Sequence, residues 1–548
     1  MRMLEHTVEK QGGVKASRKV AEVFGPADGK KIGEVPVYGT EDALKALHKV
    51  HAAQKKWAQV PVEERCRIIR AFAGILLDRS EEVARLLSAE NGKPLYESYT
   101  HEVLTVIHLA SYFARRAKKI LSPEPLPLWI FKNRTSYIHY RPRGVTFIIS
   151  PWNFPFTIPA GAVIMNLLAG NGVLLKPASL TPLIAYRMRE LFDEAGLDPD
   201  LFRVVSGPGR MAQEVIEKGS DLIGFVNFTG STEIGRVVAS VCGRRLIPCS
   251  MELGGKDPAI ICPDADVALA ARSVVMGAFG NSGQICASVE RVYAHADVYD
   301  AFVKEVVRLT KRLRQGHPLQ SSSTEVGAMT SEEQVLIVQR QLSDAVSRGA
   351  KVLTGGSRLP LEGRFFEPTV LVDVTPDMEV ITDETFGPLL PVMKVHSEEE
   401  AVRAANDSIY GLSAYVFTRS TRNGRRIAEQ LDAGTVMVNE TIVTHGFPET
   451  PWQGFKASGL GRVHSDEGLK DLCLACHVNY DTMPLPRIFW NRFWVWHPYD
   501  GAKISRFRSL YGLCFVPADG KTMLGRLWNM LWPKPVEAGP FSAPRCDR

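Results

Sequence analysis

Residues 225–235 read Phe-Val-Asn-Phe-Thr-Gly-Ser-Thr-Glu-Ile-Gly, an apolar β-prone run that ends at a glycine and the start of a helix. A helix that begins directly after a strand presents free backbone N–H groups and the positive end of its dipole at the strand end. Ser231 or Thr232 could simply cap the helix. A cap alone would not need both Gly230 and Gly235, so the segment predicts a strand–helix unit with a phosphate site.

Short β-branched runs alternate with helical windows on both sides of this segment. This rhythm is typical of parallel sheets, so the sequence predicts an α/β fold. A second series of the same kind starts near Pro258, which places a second α/β domain just after Gly255. The predicted strands are Val145–Ile149, Val173–Leu175, Phe202–Val205, Phe225–Phe228, Val289–Tyr293, Val370–Val372 and Thr435–Val438.

The chain before these strands has a different pattern. Apolar residues recur at helical spacing from Glu41 to about Lys119, so helices are expected to open the chain. A proline-rich link begins at Ser122, and the alternating segment Thr135–Tyr140 that follows predicts an extended arm.

Length and composition are those of globular protein. The 548 residues, with 45% apolar and 23% charged side chains, suit two or three domains, and no apolar run is long enough for a membrane span. The first six residues lack the apolar core of a secretory signal, and nine scattered cysteines suit a reducing compartment, so a cytoplasmic location is expected. No His, Cys or Asp cluster has metal-ligand spacing.

Reactive side chains follow several of the predicted elements. Asn153 lies in a loop between prolines, Lys176 and Ser179 follow a strand, Glu252 precedes a glycine pair, and Cys286 lies in a glycine-rich loop. An amide can stabilise an oxyanion, a carboxylate can act as a base, and a thiol can act as a nucleophile. Taken singly, each is more often a turn, a solvated group or inert packing.

Taken together, seven motifs occur in one order, and on them the chain resembles the aldehyde dehydrogenase superfamily from roughly Val20 to Val478. The motifs are Pro-Trp-Asn at 151–153, Lys-Pro-Ala-Ser at 176–179, Phe-Thr-Gly-Ser-Thr-Glu-Ile-Gly at 228–235, Glu-Leu-Gly-Gly-Lys at 252–256, Gly-Gln-Ile-Cys at 283–286, Glu-Thr-Phe-Gly-Pro at 384–388 and Lys-Ala-Ser-Gly-Leu-Gly-Arg at 456–462.

This resemblance implies an α/β fold with a Rossmann-like cofactor domain, an α/β catalytic domain and a small β oligomerisation arm, assembled as a homodimer or homotetramer. The boundaries expected are 1–121 and 143–254 for the cofactor domain, 255–454 for the catalytic domain, 122–142 and 470–482 for the arm, and 483–548 for a C-terminal extension.

The resemblance also implies NAD(P)-dependent, non-acylating oxidation of an aldehyde to a carboxylic acid. Cys286 would form a thiohemiacetal and then a thioester, Asn153 and the Cys286 backbone N–H would hold the oxyanion, and Glu252 would activate the hydrolytic water. Gly209 belongs to a partial dinucleotide fingerprint after a strand. The cofactor contacts expected are Trp152, Lys176, Ser179, Gly209, Gly230, Ser231, Thr232, Gly235, Glu384 and Phe386.

Three positions depart from common family patterns. Members that look NAD-specific carry glutamate at the position of Ser179, so NADP is expected to be accepted and preferred, with NAD close behind. Members that resemble succinate-semialdehyde dehydrogenases carry arginine where Gly161 and Gly280 stand, so an uncharged aliphatic or aromatic aldehyde is expected. The alternatives are a succinate-semialdehyde-type enzyme that uses another arginine, an acylating relative, which typically lacks the base at Glu252, and a non-catalytic structural relative.

The extension after Met483 lies beyond the usual end of the family. It contains ten Lys/Arg against four Asp/Glu, which is the whole net charge of +6, and five of the nine tryptophans. The nearly neutral body argues against a nucleic-acid partner. Aromatic and basic residues together favour peripheral contact with the cytoplasmic face of a membrane, and an extension packed on its own body or on a neighbouring subunit is the alternative.

Overall fold

The computed structural model describes residues 19–129, 134–482 and 500–537. They form two compact units. The larger comprises the described residues up to Ser122 together with Tyr140–Ala475, and the smaller comprises Pro123–His139 and the described residues from Cys476 onwards. The first six residues, and the segment 483–499 with three of the five tryptophans of the extension, lie outside the described residues.

A six-stranded sheet contains the segment that begins at Phe225. Five of its strands are parallel, the sixth is an antiparallel edge, and the order is β17-β9-β8-β5-β6-β7. The strands are β5 (Val145–Ile149), β6 (Gly172–Lys176), β7 (Phe202–Val204), β8 (Ile223–Thr229), β9 (Cys249–Glu252) and β17 (Gly459–Leu460).

Helices cover both faces of this sheet. Phe147 and Leu174 belong to one apolar cluster, whereas Ile148 and Leu175 belong to another. Because both faces are buried, the strands are continuous apolar runs rather than alternating ones. The helices are α1 (Thr40–Trp57), α2 (Val62–Asp78), α3 (Ser80–Asn91), α4 (Leu95–Glu97), α5 (Thr105–Ile120), α6 (Thr157–Ala169), α7 (Leu183–Glu194), α8 (Gly209–Lys218) and α9 (Thr232–Arg245), with a π-helical turn, Ser98–Leu104, between α4 and α5.

The expectation that helices open the chain is wrong. The described chain starts with an antiparallel hairpin of β1 (Val20–Phe24) and β2 (Lys31–Pro36). Val23 and Val35 pack with Leu183 of α7. This tertiary contact, which joins residues far apart in the chain, stabilises strands too short and polar to stand out in the sequence.

A seven-stranded sheet follows Gly255, and its strand order is β12-β13-β14-β11-β10-β15-β16. All pairings are parallel except that of the edge strand β12. The strands are β10 (Asp257–Ile261), β11 (Val289–His295), β12 (Lys351–Thr354), β13 (Thr369–Val372), β14 (Leu389–Val395), β15 (Ser413–Phe417) and β16 (Thr435–Val438). The helices that follow α9 are α10 (Val267–Phe279), α11 (Ala296–Thr310), α12 (Glu332–Ser347), α13 (Glu379–Thr382), α14 (Glu398–Asn406), α15 (Thr421–Ala428) and α16 (Ser465–Asp471).

The smaller unit contains most of a three-stranded sheet and two helices. The sheet has the order β18-β4-β3, with β3 (Glu124–Pro125), β4 (Arg134–Pro142) and β18 (Cys473–Asp481). The helices α17 (Gly501–Phe515) and α18 (Gly520–Leu531) each begin at an aspartate whose side chain accepts an N–H of the first turn. Within the described residues, no helix is both long and apolar enough to cross a membrane.

Candidate active site

Cys286 lies in a loop between the 3-10 turn Gly280–Gly283 and β11. The turn holds Asn281 at φ 47° and Ser282 at φ 58°, in the left-handed region that side chains rarely adopt. Strain of this kind persists only where the surroundings fix it. Here the N–H of buried Asn281 donates to Glu97 Oε2 at 2.9 Å, so the loop that carries the thiol is fixed from a separate segment.

The environment of the Cys286 thiol favours its protonated form. Burial raises its pKa well above the usual range, and the carboxyls of Asp257, Glu384 and Glu252 act in the same direction. The N–H of Ala287 opposes them weakly. A thiol nucleophile reacts as the thiolate, so the site needs a base that accepts this proton.

Asn153 follows β5, and its side chain is directed at the cysteine loop. Its Nδ2 donates to the carbonyl oxygen of Gln284, two residues before Cys286, at 3.0 Å. A side-chain amide has two N–H donors, so a second one is left for an oxyanion near the sulfur. The backbone carbonyl of Asn153 accepts from Lys93 Nζ at 2.8 Å, which fixes the loop from the opposite side.

Glu252 is the last residue of β9 and is 6% exposed. Neither carboxylate oxygen makes a hydrogen bond of ordinary geometry to the described residues. Burial raises the pKa of the Glu252 carboxyl well above its usual value, although the Trp452 side chain favours the charged form. A carboxyl with a raised pKa and no committed partner is suited to proton transfer.

The glycine pair after Glu252 allows three motifs to meet. A Cβ on Gly254 would lie 2.5 Å from Glu384 Oε2, and a Cβ on Gly255 would lie 2.5 Å from the Cys286 carbonyl oxygen. The N–H of Gly255 donates to Glu384 Oε1 at 2.9 Å. Only glycine permits this close approach, so the two glycines bring the glutamate, cysteine and Glu-Thr-Phe motifs together.

One cavity contains both reactive groups, since Cys286 and Glu252 line it together. The wall combines apolar side chains with polar and charged ones. Besides the two reactive groups, the lining includes Ile158, Ala162, Met165, Phe225, Leu253, Leu412, His445, Trp452, Arg462 and His464.

Lys176 ends β6 and fits the expected anion-binding role. It is 6% exposed, and burial lowers the pKa of its ammonium group to about 8. Its Nζ donates to the carbonyl oxygen of Pro177 at 3.0 Å. A buried ammonium group is stabilised by an anion or by hydroxyl oxygens, both of which a dinucleotide would supply.

Trp152 and Phe386 are far apart in sequence but meet in the structure, with ring centroids 5.3 Å apart at 82°. Phe386 has φ 50°, and its N–H donates to Glu290 Oε1 at 2.8 Å. Glu384 lies two residues earlier, where burial raises the pKa of its carboxyl to about 8. Two aromatic rings and a carboxyl beside the cysteine loop form a surface on which a planar ring could rest.

The residues at the start of α9, which were all expected to contact the cofactor, make different contacts in the structure. The Ser231 side chain caps the helix by accepting the Ile234 N–H at 3.4 Å, and Thr232 Oγ1 donates to the Ala457 carbonyl at 3.3 Å. A Cβ on Gly235 would lie 2.3 Å from Leu253 Cδ2, so this glycine serves helix–sheet packing. Gly230 lies at the turn between β8 and α9 and is half-exposed.

Ser179 and Gly209 are exposed. Gly209 begins α8, and a Cβ there would meet no heavy atom within 4 Å. Nothing in the backbone conformation therefore requires glycine at 209. Both residues are accessible to a ligand.

Sequence reasoning missed the buried ion pairs that support the site. Lys93 Nζ contacts Glu102 Oε1 at 2.5 Å with both side chains fully buried, and Lys256 Nζ contacts Glu290 Oε2 at 2.7 Å. Glu102 lies in the π-helical turn, a feature that often marks functional sites. Glu102 stands in a helical segment and Glu290 in a strand, whereas Lys93 and Lys256 stand in loops, so no common sequence pattern marks the pairs and their partners depend on the fold.

The comparisons with known proteins agree with this geometry. Residues 14–478 match the sequence model described as the aldehyde dehydrogenase family. A Mycolicibacterium smegmatis protein, provisionally named an NADP(+)-dependent succinate-semialdehyde dehydrogenase, is 39% identical over 83% of this chain and 86% of its own length. A 3-sulfolactaldehyde dehydrogenase of Pseudomonas putida is 35% identical over 82% of this chain and 91% of its own length.

The solved structure of a succinate-semialdehyde dehydrogenase from Burkholderia pseudomallei superposes with a TM-score of 0.81 at 34% identity, covering 84% of this chain and 95% of the other. Sequence match, fold and the arrangement of cysteine, glutamate and asparagine lead to one assignment. The chain belongs to the aldehyde dehydrogenase family.

Proposed function

We propose that the protein oxidises an uncharged aldehyde to a carboxylic acid through a thioester on Cys286. The observation that carries this proposal is that Cys286 and Glu252 line one cavity while the Asn153 amide is bonded to the backbone two residues before the cysteine. A nucleophile, a base and an oxyanion donor thus converge on one site.

In this mechanism Cys286 Sγ bonds to the aldehyde carbon, and the thiol proton passes to a base. The carbonyl oxygen becomes an oxyanion, held by the Asn153 amide and the Cys286 N–H. Departure of a hydride from that carbon leaves a thioester. Glu252 then takes a proton from water, whose oxygen attacks the thioester carbon, and the acid and the thiol are released.

A nicotinamide dinucleotide, when bound, accepts the hydride. The residues of this chain fit such a cofactor, because buried Lys176 is suited to ribose or phosphate oxygens and the turn at Gly230 ends at a helix N-terminus. Trp152, Glu384 and Phe386 are the further contacts that we propose for this cofactor. We propose NADP as the preferred cofactor and NAD as an accepted one, because Ser179 carries no charge to repel a 2′-phosphate and the relative from M. smegmatis is named as NADP(+)-dependent.

Hydrolysis rather than transfer to coenzyme A is supported by Glu252, whose carboxyl lines the cavity with the cysteine. The intact set of Cys286, Glu252 and Asn153 likewise disfavours a structural relative without activity. A succinate-semialdehyde-type activity is the second candidate, since relatives carry that name. Gly161 and Gly280 stand where such enzymes carry arginine, and the cavity arginine, Arg462, is bonded to Asp471 at 2.8 Å.

An absorbance assay of NADPH formation with a panel of aldehydes tests the proposed function. We expect steady turnover with uncharged aldehydes and, in a quenched sample, an acyl adduct on Cys286 detected by mass spectrometry. Absence of NADPH formation with every aldehyde, in protein that binds NADP and is folded, would contradict the proposal.

The domain boundaries given above and assembly as a homodimer or homotetramer are part of the same proposal. They are supported by the separate six- and seven-stranded sheets and by the three-stranded sheet of β18, β4 and β3. Sedimentation of the full chain tests the assembly.

We further propose that the C-terminal extension adsorbs to an anionic membrane surface. On α18, Leu524, Leu527, Trp528 and Leu531 are all exposed, and the rings of Trp528 and Trp532 stack at 4.6 Å. An exposed apolar row on a helix in a basic segment is typical of interfacial binding.

A further inference from the structure

His464 lies beside Gly161, the position at which members resembling succinate-semialdehyde dehydrogenases are expected to carry arginine. A Cβ on Gly161 would lie 3.5 Å from His464 Nε2 and 3.5 Å from Leu109 Cδ1. The space beside Gly161 is therefore bordered by the imidazole of His464. That imidazole also lines the cavity that contains Cys286.

The backbone at His464 is strained. It has φ 61° and ψ −171°, a combination that is essentially confined to glycine, and the next residue, Ser465, has φ 58°. The Ser465 N–H donates to the Pro448 carbonyl at 2.9 Å, which holds the segment. Glycine would adopt this conformation without strain, so the side chain itself is what the site retains.

The imidazole is also incompletely bonded. His464 is 4% exposed, and its Nδ1 is buried without a hydrogen-bond partner among the described residues. Its ring centroid lies 4.9 Å from that of His445, which in turn packs edge-on against Trp452 at 5.1 Å. All three rings line the cavity that contains Cys286, so a ligand in it would meet the two imidazoles.

The charge of the cavity favours neutral ligands. Burial lowers the pKa of His445 to about 4 and that of His464 well below its usual value, so both rings are neutral at neutral pH. The guanidinium of Arg462 is already paired with Asp471. A substrate carboxylate would therefore meet no unpaired cation among the described lining residues, whereas a neutral imidazole can donate one hydrogen bond and accept another.

We propose that His464, supported by His445, is a specificity-determining residue that hydrogen-bonds a hydroxyl or carbonyl oxygen at the non-reacting end of the substrate. The substrate class is thus an uncharged, oxygenated aldehyde with an apolar body, not a semialdehyde with a carboxylate tail. This inference rests on the proposed function and narrows it.

Two series of matched aldehydes test it. In the first, 4-(hydroxymethyl)benzaldehyde, 4-ethylbenzaldehyde and 4-carboxybenzaldehyde share one frame. In the second, 6-hydroxyhexanal, heptanal and 6-oxohexanoate share another. We expect the hydroxylated member of at least one series to exceed both others by at least about tenfold in kcat/KM, since one hydrogen bond to a buried polar group has this effect.

His464→Leu should abolish that preference by raising KM for the hydroxylated aldehyde, while kcat/KM for the ethyl or alkyl member changes by less than about threefold. His464→Asn keeps a polar group and should retain part of the preference. His464→Gly should lose the preference while its thermal midpoint is unchanged or higher, because the strain is relieved. His108→Leu, on the exposed face of α5, is the matched control and should behave as the original chain.

Equal kcat/KM within both series, or a preference that survives His464→Leu, would overturn the inference while leaving the proposed function intact. A carboxylate preference that depends on His464 would also overturn it, because the site would then bind anions. A large loss of stability in His464→Gly and His464→Asn would assign the residue a structural role. No oxidation of any aldehyde by folded, NADP-binding protein would overturn the proposed function together with this inference.

Discussion

At the scale of single residues, Cys286 decides whether the chemistry is covalent. Cys286→Ala should abolish turnover while NADP binds with nearly unchanged affinity, because the thiol is not among the groups suited to holding the dinucleotide. Assays of NADPH formation and titration of NADP by protein fluorescence measure the two effects. Cys66→Ala, at a buried cysteine outside the cavity, is the control, and aldehyde oxidation retained by Cys286→Ala would rule out the mechanism.

Glu252 should control the second half of the reaction. Glu252→Gln should allow one hydride transfer and then stall at the thioester, which gives a burst of NADPH without steady turnover. Stopped-flow absorbance measures the burst. If burst and turnover are lost together, Glu252 also removes the Cys286 proton.

The pH dependence of kcat follows from the burial of Glu252. The carboxyl must be deprotonated to act as a base, and burial raises its pKa well above 4.5. Turnover should therefore be low in acid and rise as the pH climbs through this raised pKa, at a higher pH than an ordinary glutamate would give. A profile of kcat against pH measures this rise on the acid side. A flat profile down to pH values near 4.5 would show that a different group is the base.

Cofactor preference should depend on Ser179. Ser179→Glu places a carboxylate on an exposed position beside the predicted ribose site, where it would repel a 2′-phosphate and accept ribose hydroxyls. The ratio of kcat/KM values for NAD and NADP should shift towards NAD. An unchanged ratio would mean that Ser179 does not lie at the adenine ribose.

The reactive residues could be predicted from the sequence because they stand in short motifs with fixed order. The residues that contact these reactive groups in the folded protein could not be predicted in this way. His464, about three hundred residues after Gly161, lies beside that glycine and lines the cavity. Gly235 was expected to face the cofactor, and its close approach to Leu253 adds a packing role that the motif did not predict. Both outcomes depend on tertiary contacts that no local pattern contains.

At the scale of elements, buried ion pairs hold the loops that carry the chemistry. Glu102 accepts the Phe156 and Thr157 N–H groups at the start of α6 at 3.2 and 2.7 Å and pairs with Lys93, which also bonds the Asn153 carbonyl. The pair therefore ties the π-helical turn, α6 and the oxyanion loop together. Alternating strands and helices were predictable from periodicity, but this connection was not, because Lys93 lies in a loop and its partners come from separate segments of the chain.

Lys93→Met should lower the free energy of unfolding by about 3–5 kcal/mol, because it leaves a fully buried carboxylate without its cation. It should also reduce kcat, since the Asn153 loop loses a support. Denaturant unfolding and steady-state kinetics measure the two effects. Arg67→Met removes a partner of the exposed pair with Glu64 and should change stability by about 0.5 kcal/mol or less. If the two substitutions lower the free energy of unfolding equally, the buried pair of Lys93 and Glu102 does not stabilise the fold as proposed.

At the scale of the whole molecule, the extension separates this chain from the family body. The family match ends at residue 478, and the described helices α17 and α18 lie beyond it. The body explains aldehyde oxidation without them. An apolar aldehyde partitions into membranes, so an extension that adsorbs to a bilayer would bring the cavity to its substrate.

The extension should bind anionic liposomes in a salt-sensitive way. Each basic residue near such a surface contributes on the order of 1 kcal/mol, and the ten Lys/Arg after Met483 exceed the four Asp/Glu by six. The full chain should cosediment with vesicles of acidic lipid at low ionic strength and be released by salt.

Truncation after Met483 should abolish cosedimentation and leave kcat/KM for short, water-soluble aldehydes unchanged. Replacing Trp528 and Trp532 with alanine should weaken binding, whereas Leu336→Ala, an exposed leucine on α12, should not. Failure of the full chain to bind liposomes, combined with aggregation or loss of the oligomer on truncation, would show that the tryptophans cover protein instead, since their removal would expose an apolar surface.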